Sequence, residues 1–247
     1  MYKKLIDGKK AVFLDLDGTI VDTTLMWAEA VDKVLRSLDI NWVSTPNRYF
    51  PGDSLEVQWK RLIKDYKITT DLSVWQLVEK TNKEFLETLK TVGSLEATEG
   101  FWSFIYEISQ EKHLKTALLT NSTKEVGSAV LEKLGAINAF DLIIYGNEVK
   151  NPKPDPEIYK KAMETLGLTA KEVLVFEDSP TGAQAAFKAD MEMVIIWDEE
   201  KSFPKSEYPG KVFIFLPDFS DLPGKLDKTF EERWEEVISA RDKKINL

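Results

Sequence analysis

The feature that most constrains the fold is a series of short apolar runs that recur along the chain, each followed by a turn signal and a helix-like stretch. Most runs are continuous rather than alternating, which is typical of strands that are covered on both faces in a parallel sheet. They occupy residues 11–16, 116–119, 142–145, 173–176, 193–197 and 212–216. Because strand and helix patterns alternate from about residue 100 onward, the sequence predicts an α/β fold with a doubly wound parallel sheet.

A long segment without a convincing strand pattern, residues 17–115, separates the first two runs. Within it, apolar residues recur at helical spacing over residues 25–38 and again over residues 72–89, and Asp71 is placed to cap the second helix. Such a segment is far too long for a simple crossover between strands. We therefore expect a helical subdomain that interrupts the core just after the first strand.

The predicted domain boundaries follow from this insertion. Residues 1–21 and 96–247 form the α/β core, and residues 22–95 form an all-helical cap. Near the C-terminus, residues 227–244 have a charged amphipathic pattern, which predicts a helix that packs on the sheet.

Composition limits the chemistry that the chain can perform. It has no cysteine and one histidine, His113, which excludes a thiolate nucleophile and Cys-ligated or His-rich metal sites. The formal charge of -9 argues against a nucleic-acid partner. No apolar run approaches the length of about 18 residues that a membrane span requires. The N-terminus also lacks the apolar stretch of a secretion signal. We expect a cytoplasmic protein without a membrane partner that works with carboxylates, hydroxyls, lysines and a hard metal ion.

The first candidate site follows the first apolar run, in the segment DLDGT. Asp15 and Asp17 stand two positions apart at a strand end, so their side chains point to the same side, and Gly18 permits a sharp turn. Ligands of open α/β sheets bind beyond the carboxyl ends of the strands, where this pair falls. The alternative is that the two aspartates merely end a strand and cap a helix.

A second acidic pair, Glu177 and Asp178, follows a later run in the segment EDSPTG. Taken alone, Asp178 is better interpreted as the N-cap of the next helix, with Pro180 in the first turn. Together with Asp15 and Asp17, however, these carboxylates would converge on one crevice and repel one another. A hard cation removes that repulsion, and an oxygen-only ligand set favours Mg²⁺ over zinc.

Two further strand ends supply groups that suit an anion. The segment TNS at residues 120–122 offers hydroxyl and amide donors just before a helix, whose N-terminus favours negative charge. Lys153 lies in the segment NPKPDP, where prolines on both sides restrict the backbone. Anion donors, a fixed cation and metal-binding carboxylates together describe a phosphoryl-transfer site.

In this order, the four motifs resemble those of the haloacid dehalogenase-like superfamily of phosphohydrolases. The resemblance covers about residues 10–200 and is to the branch, related to phosphoglycolate phosphatase and β-phosphoglucomutase, whose helical cap follows the first strand. It implies a Rossmann-like doubly wound parallel sheet core with an inserted all-helical cap subdomain. It also implies a phosphatase that depends on Mg²⁺ and hydrolyses a small phosphorylated metabolite through an aspartyl-phosphate intermediate.

The resemblance further implies a role for each acidic residue of the motifs. Asp15 is the nucleophile, and Asp17 protonates the leaving group and then activates the attacking water. The Asp15 carboxylate, the Asp17 backbone carbonyl and Asp178 hold the Mg²⁺ ion. Glu177 lies just outside these ligands or reaches the ion through a water molecule.

Phosphate binding is implied for Thr120, Asn121 and Lys153, with a backbone N–H group as the donor near Asn121. The resemblance also implies that the cap selects the substrate, and Trp27 and a loop at residues 46–53 that includes Arg48 are the candidates for contact with it.

Within this family, three functions remain open. True dehalogenases lack an aspartate at the position of Asp17, which argues against that reaction. A sugar-phosphate mutase of the β-phosphoglucomutase kind uses the same motifs, but it carries a histidine about where Trp27 stands and an arginine just before a segment like Asp53-Ser54-Leu55. Hydrolysis is therefore favoured over the mutase, and a non-catalytic binding protein is the third alternative. We expect a monomer or a weak homodimer.

Overall fold

The computed structural model describes residues 5–40, 52–199, 203–220 and 222. The helix predicted for residues 227–244 lies outside the described residues, as does Arg48.

All six predicted strands are present, and they form one sheet in which every pairing is parallel. The strand order is β3-β2-β1-β4-β5-β6, with β1 in the interior. This arrangement confirms the predicted α/β fold with a doubly wound sheet. The strands are β1 (Ala11–Leu14), β2 (Lys115–Leu119), β3 (Leu142–Ile144), β4 (Val173–Glu177), β5 (Glu192–Ile196) and β6 (Val212–Leu216).

The helices of the described residues cover both faces of the sheet and fill the insertion. They are α1 (Thr24–Ser37), α2 (Leu55–Tyr66), α3 (Val74–Thr91), α4 (Phe101–Gln110), α5 (Lys124–Leu134), α6 (Glu157–Leu166) and α7 (Pro180–Lys188). Alternate side chains of β1 belong to different apolar clusters: Val12 and Leu14 pack with α4 and α5, while Ala11 and Phe13 pack with α6 and α7. Both faces of β1 are therefore buried, which explains its continuous apolar sequence.

Helices α1, α2 and α3 follow β1 and pack around Trp59, which is completely buried. The sequence predicted α1 and α3 but not α2. The N-cap of α3 is also Ser73 rather than Asp71, because Ser73 and Gln76 form a reciprocal capping box. Phe85 of α3 belongs to the same apolar cluster as the sheet, so the insertion and the core are packed together. Because this packing is continuous, it does not mark where one domain ends, and the domain boundaries stay a prediction.

The chain enters and leaves this helical insertion at one place. Val21 and Ala97 form an antiparallel bridge, and the Thr98 N–H group donates to the Ile20 carbonyl at 2.9 Å. The two crossings between the sheet and the insertion are thus held side by side.

The central position of β1 determines which loops meet. Leu14 is in register with Leu118 of β2 on one side and with Phe176 of β4 on the other. Because the three strands are parallel, the residues that follow them emerge together at one edge of the sheet.

Candidate active site

Asp15 is the first residue after β1, and its position is fixed by the sheet. Its backbone N–H group donates to the Phe176 carbonyl at 3.0 Å, which continues the pairing of β1 with β4. Its side chain is buried, and its Oδ1 atom lies 2.7 Å from the Lys153 ammonium. Gly18 turns the chain away with a φ of 88°. A Cβ atom on Gly18 would lie 2.1 Å from Asp178 Oδ2, so the close approach of these two loops requires glycine.

The Lys153 ammonium is the centre of the site and is only 2% exposed. It donates to Asp15 Oδ1 at 2.7 Å, to the Leu119 carbonyl at 2.7 Å and to Glu177 Oε1 at 2.6 Å. Burial by itself would lower the pKa of Lys153, but the negative charges of Asp15 and Glu177 outweigh that effect and raise the pKa. Lys153 is therefore a fixed positive charge that joins the ends of three adjacent strands.

The site carries more negative than positive charge. Ligand atoms of Asp15, Glu177 and Asp178 all lie within 4.8 Å of one another, with Lys153 as the cation paired with two of them. Burial is the main cause that raises the pKa of Asp15 to about 8, and it also raises the pKa of Asp178. A divalent cation would relieve this repulsion, and the oxygen donors suit a hard metal ion. The residues present thus fit a metal site.

Asp178 does not cap the helix that follows it, which corrects one of the two interpretations of its position. The N-cap of α7 is Ser179, whose hydroxyl accepts from the Gly182 N–H group at 3.0 Å, and Pro180 opens the helix. Asp178 instead accepts a hydrogen bond from the Thr19 hydroxyl at 3.2 Å on Oδ1. Its carboxylate is therefore directed toward the end of β1.

Three donors surround the Asp17 carboxylate. The Thr23 hydroxyl donates to Oδ1 at 2.5 Å, the Trp27 indole N–H group donates to Oδ1 at 3.1 Å, and the Ser122 hydroxyl donates to Oδ2 at 2.7 Å. Trp27 is 4% exposed and stacks on Phe85, with ring centroids 4.0 Å apart. The insertion therefore reaches Asp17 directly, through the first turn of α1.

The TNS segment connects β2 with the loop that carries Lys153. The Thr120 hydroxyl is buried and accepts from the Ser122 N–H group at 3.0 Å. The Asn121 side chain accepts from the Lys153 N–H group at 2.9 Å and donates to the carbonyl groups of Lys153 and Gly52 at 3.2 and 3.0 Å. Because its side chain is engaged in this way, phosphate binding at Asn121 would depend on the backbone N–H group.

A cavity of about 260 Å³ lies between the sheet edge and the insertion. Trp27 forms part of its wall, whereas most of the loop at residues 46–53, including Arg48, lies outside the described residues. The side chains of the predicted site that line the cavity are Asp15, Asp17, Thr120, Asn121 and Lys153.

Two tyrosines that the sequence did not indicate contribute to the site. The Tyr159 hydroxyl donates to Glu177 Oε1 at 2.7 Å, and the Tyr208 hydroxyl donates to the Asp178 carbonyl at 2.6 Å. Tyr159 is an apolar-face residue of an amphipathic helix, and Tyr208 lies in a loop before β6, so neither has a pattern that marks it.

The protein belongs to the general class of α/β proteins that have an open parallel sheet, and it has an acidic, lysine-containing crevice at the carboxyl edge of that sheet. Residues 12–196 match the model of the haloacid dehalogenase-like hydrolase family, and the chain therefore belongs to that family. The family predicted from the four motifs is thus confirmed. Over 188 residues the chain is 31% identical to the phosphorylated carbohydrates phosphatase of Thermotoga maritima. The matched region covers 75% of this chain and 83% of that protein.

Solved structures of the same fold include enzymes with different names. One is CbbY from Rhodobacter sphaeroides in complex with phosphate, with a TM-score of 0.76, 20% identity, and coverage of 87% of this chain and 96% of that one. Another is β-phosphoglucomutase from Clostridium difficile, with a TM-score of 0.73, 22% identity, and coverage of 94% and 99%. At these identities the likeness shows the fold alone.

Among the described residues, no helix has the length and apolar character that crossing a membrane requires.

Lys153→Met is expected to destabilise the metal-free protein by about 3–5 kcal/mol, because the buried Asp15 and Glu177 carboxylates lose their partner. Urea unfolding in the presence of a chelator measures this change. Lys115→Met is the matched control, since the Lys115 side chain is 54% exposed where it pairs with Asp141; we expect a change within about 0.5 kcal/mol. Equal losses in the two variants would contradict the role of Lys153 as the central cation.

Proposed function

We propose that the protein is a phosphatase that depends on Mg²⁺ and hydrolyses a small phosphorylated metabolite through an aspartyl-phosphate intermediate. The observation that carries this proposal is the placement of the Asp15 carboxylate, a fixed Lys153 cation and the Asp17 carboxylate around one cavity. These are the nucleophile, the charge-neutralising group and the acid–base group that phosphoryl transfer to a carboxylate requires. The phosphatase relative of Thermotoga maritima supports the same reaction.

In the proposed first step, Asp15 attacks the phosphorus atom of the substrate. One carboxylate oxygen of Asp15 makes the attack, while the Lys153 ammonium, which donates to Oδ1, holds the carboxylate in place. The new bond joins the attacking oxygen to phosphorus as the ester P–O bond breaks, and the alcohol leaves with a proton from Asp17. Lys153 and the Thr120 hydroxyl bind the oxygens of the transferring group, so that its negative charge is partly neutralised.

In the second step, Asp17 acts as the base. It takes a proton from a water molecule whose oxygen attacks phosphorus, the Asp15–phosphate bond breaks, and inorganic phosphate leaves. The hydrogen bonds from Thr23, Trp27 and Ser122 hold Asp17 in place for both transfers.

Asp15, Asp178 and the Asp17 backbone carbonyl would hold the magnesium ion, with Glu177 beside them. When bound, the ion neutralises negative charge on the carboxylates and on the phosphoryl group. Glu177 is engaged by Lys153 and Tyr159 through Oε1, which supports an indirect rather than a direct contribution to the metal site.

The size of the cavity supports a small substrate, and the printed name of the Thermotoga maritima relative suggests a phosphorylated carbohydrate. Cytoplasmic residence, a monomeric or weakly dimeric state, and the absence of nucleic-acid and membrane partners stay predictions from the sequence.

A sugar-phosphate mutase of the β-phosphoglucomutase kind is the competing function, because it uses the same four motifs. The position of Trp27 supports hydrolysis instead. Its indole N–H group contacts Asp17, and an indole can donate a hydrogen bond but has no acceptor nitrogen. A histidine at about this position, as in the mutases, would offer both a hydrogen-bond donor and an acceptor nitrogen.

Asp15→Asn is expected to reduce the release of phosphate from p-nitrophenyl phosphate by at least about 1000-fold, because the amide is not a nucleophile. Phosphate release in the presence of Mg²⁺ measures the activity, and circular dichroism checks the fold. Wild-type turnover in the variant would refute the assignment of the nucleophile.

Asp178→Asn is expected to weaken Mg²⁺ binding by about tenfold or more, because it replaces a charged ligand by a neutral amide. Calorimetric titration of the metal-free protein measures the affinity. Asp141→Asn, a carboxylate at the opposite end of the sheet next to Thr116, is the control and should bind Mg²⁺ as the wild type does. Unchanged affinity in Asp178→Asn would exclude that residue as a ligand.

With β-glucose 1-phosphate and a trace of the corresponding bisphosphate, we expect inorganic phosphate to accumulate rather than glucose 6-phosphate. Phosphorus NMR distinguishes the two products over time. Accumulation of glucose 6-phosphate would establish the mutase in place of the phosphatase.

A further inference from the structure

A two-residue segment of the insertion, Gly52 and Asp53, rests on the loops of the sheet edge. The Gly52 carbonyl accepts from Asn121 Nδ2 at 3.0 Å, and Asp53 Oδ1 accepts from the Thr181 hydroxyl at 2.6 Å. A Cβ atom on Gly52, whose φ is 83°, would lie 2.1 Å from the Ser179 hydroxyl. This segment therefore fits against the core with no space for a side chain at its first position.

Asp53 is also held from the side of the insertion. Its Oδ2 atom pairs with Arg61 of α2 at 3.1 Å, and its backbone carbonyl accepts from Gln58 Nε2 at 3.0 Å. The Asp53 side chain is only 11% exposed. Both carboxylate oxygens are thus engaged, one by the insertion and one by the first turn of α7, so that Asp53 connects α2 to the core.

Asn121 extends this connection to the catalytic lysine. The same Nδ2 atom that donates to Gly52 donates to the Lys153 carbonyl, while Oδ1 accepts from the Lys153 N–H group. The backbone of Lys153 is therefore held on both sides by one amide. A displacement of Gly52 would remove one of the two acceptors that orient this amide.

We propose that Asp53 is a positioning residue: by docking on Thr181, it holds the Gly52 carbonyl on Asn121 and thereby fixes the loop that carries Lys153. The proposal rests on the proposed function only insofar as Lys153 serves phosphoryl transfer. The Asp53–Thr181 contact makes the geometry around the Asp15 nucleophile depend on the position of the insertion.

Asp53→Ala tests this connection at a distance from the change. The Lys153 amide is a suitable probe because both neighbours, Pro152 and Pro154, lack an N–H group. We expect its hydrogen exchange to be several-fold faster in Asp53→Ala than in the wild type. Lys60→Met removes an exposed ion pair with Glu56 on the same helix and is the matched control, in which the exchange of this amide should not change.

Kinetics on p-nitrophenyl phosphate distinguish the effect of the hydrogen bond between Thr181 and Asp53 from the effect of side-chain packing. Thr181→Val keeps the shape but lacks the donor, and we expect kcat to fall by about 10- to 100-fold, as for misplaced catalytic groups. Thr181→Ser keeps the hydroxyl and should retain most of the activity. Because Asp53→Ala removes the same contact, the double variant Asp53→Ala with Thr181→Val should lose no more than the more damaged single variant.

Wild-type exchange at Lys153 in Asp53→Ala would overturn the proposal, and so would losses of kcat that are additive in the double variant or equal in Thr181→Ser and Thr181→Val. The exchange experiment needs no substrate. If the wild type released no phosphate, the proposed function would fail, while the connection between Asp53 and Lys153 would still be decided by exchange.

Discussion

The buried attraction between Lys153 and Asp15 is the interaction on which the rest of the site depends. A carboxylate at the end of a central strand would be costly to desolvate alone. Lys153 offsets that cost for Asp15 and Glu177 together, and its third donor binds the carbonyl at the end of β2. One ammonium group thus ties β2, β1 and β4 together at the edge where parallel strands bring their carboxyl ends.

Around this pair, the site is assembled from two sources. The sheet provides Asp15 and Asp178 on loops whose positions follow from strand register, and Lys153 comes from the longer loop between β3 and α6. The helical insertion contributes groups that touch those loops: Trp27 donates to Asp17, and Gly52 accepts from Asn121. Asp17 and the loop that carries Lys153 are therefore both linked to the helical insertion, Asp17 directly and the loop through Asn121.

The sequence predicted the sheet and the family because these depend on local patterns. Continuous apolar runs mark strands that are buried on both faces, and four short motifs stand at strand ends. It did not identify the caps of α3 and α7, where Ser73 and Ser179 outcompete nearby aspartates, nor Tyr159, whose hydroxyl reaches Glu177 from another element. The Ser73–Gln76 capping box is a local signal that the sequence does carry and that Asp71 obscured. The contact of Tyr159 depends on how elements pack, and a single sequence carries no sign of it. The roles assigned to the site residues stay predictions.

The bridge between Val21 and Ala97 brings the two ends of the helical insertion together beside the sheet. A segment with adjacent ends can be exchanged for another of different length while the strands keep their register. The sheet edge would then supply the same chemistry under a different insertion. The hydrolase could acquire a new substrate preference through replacement of the insertion at this single junction.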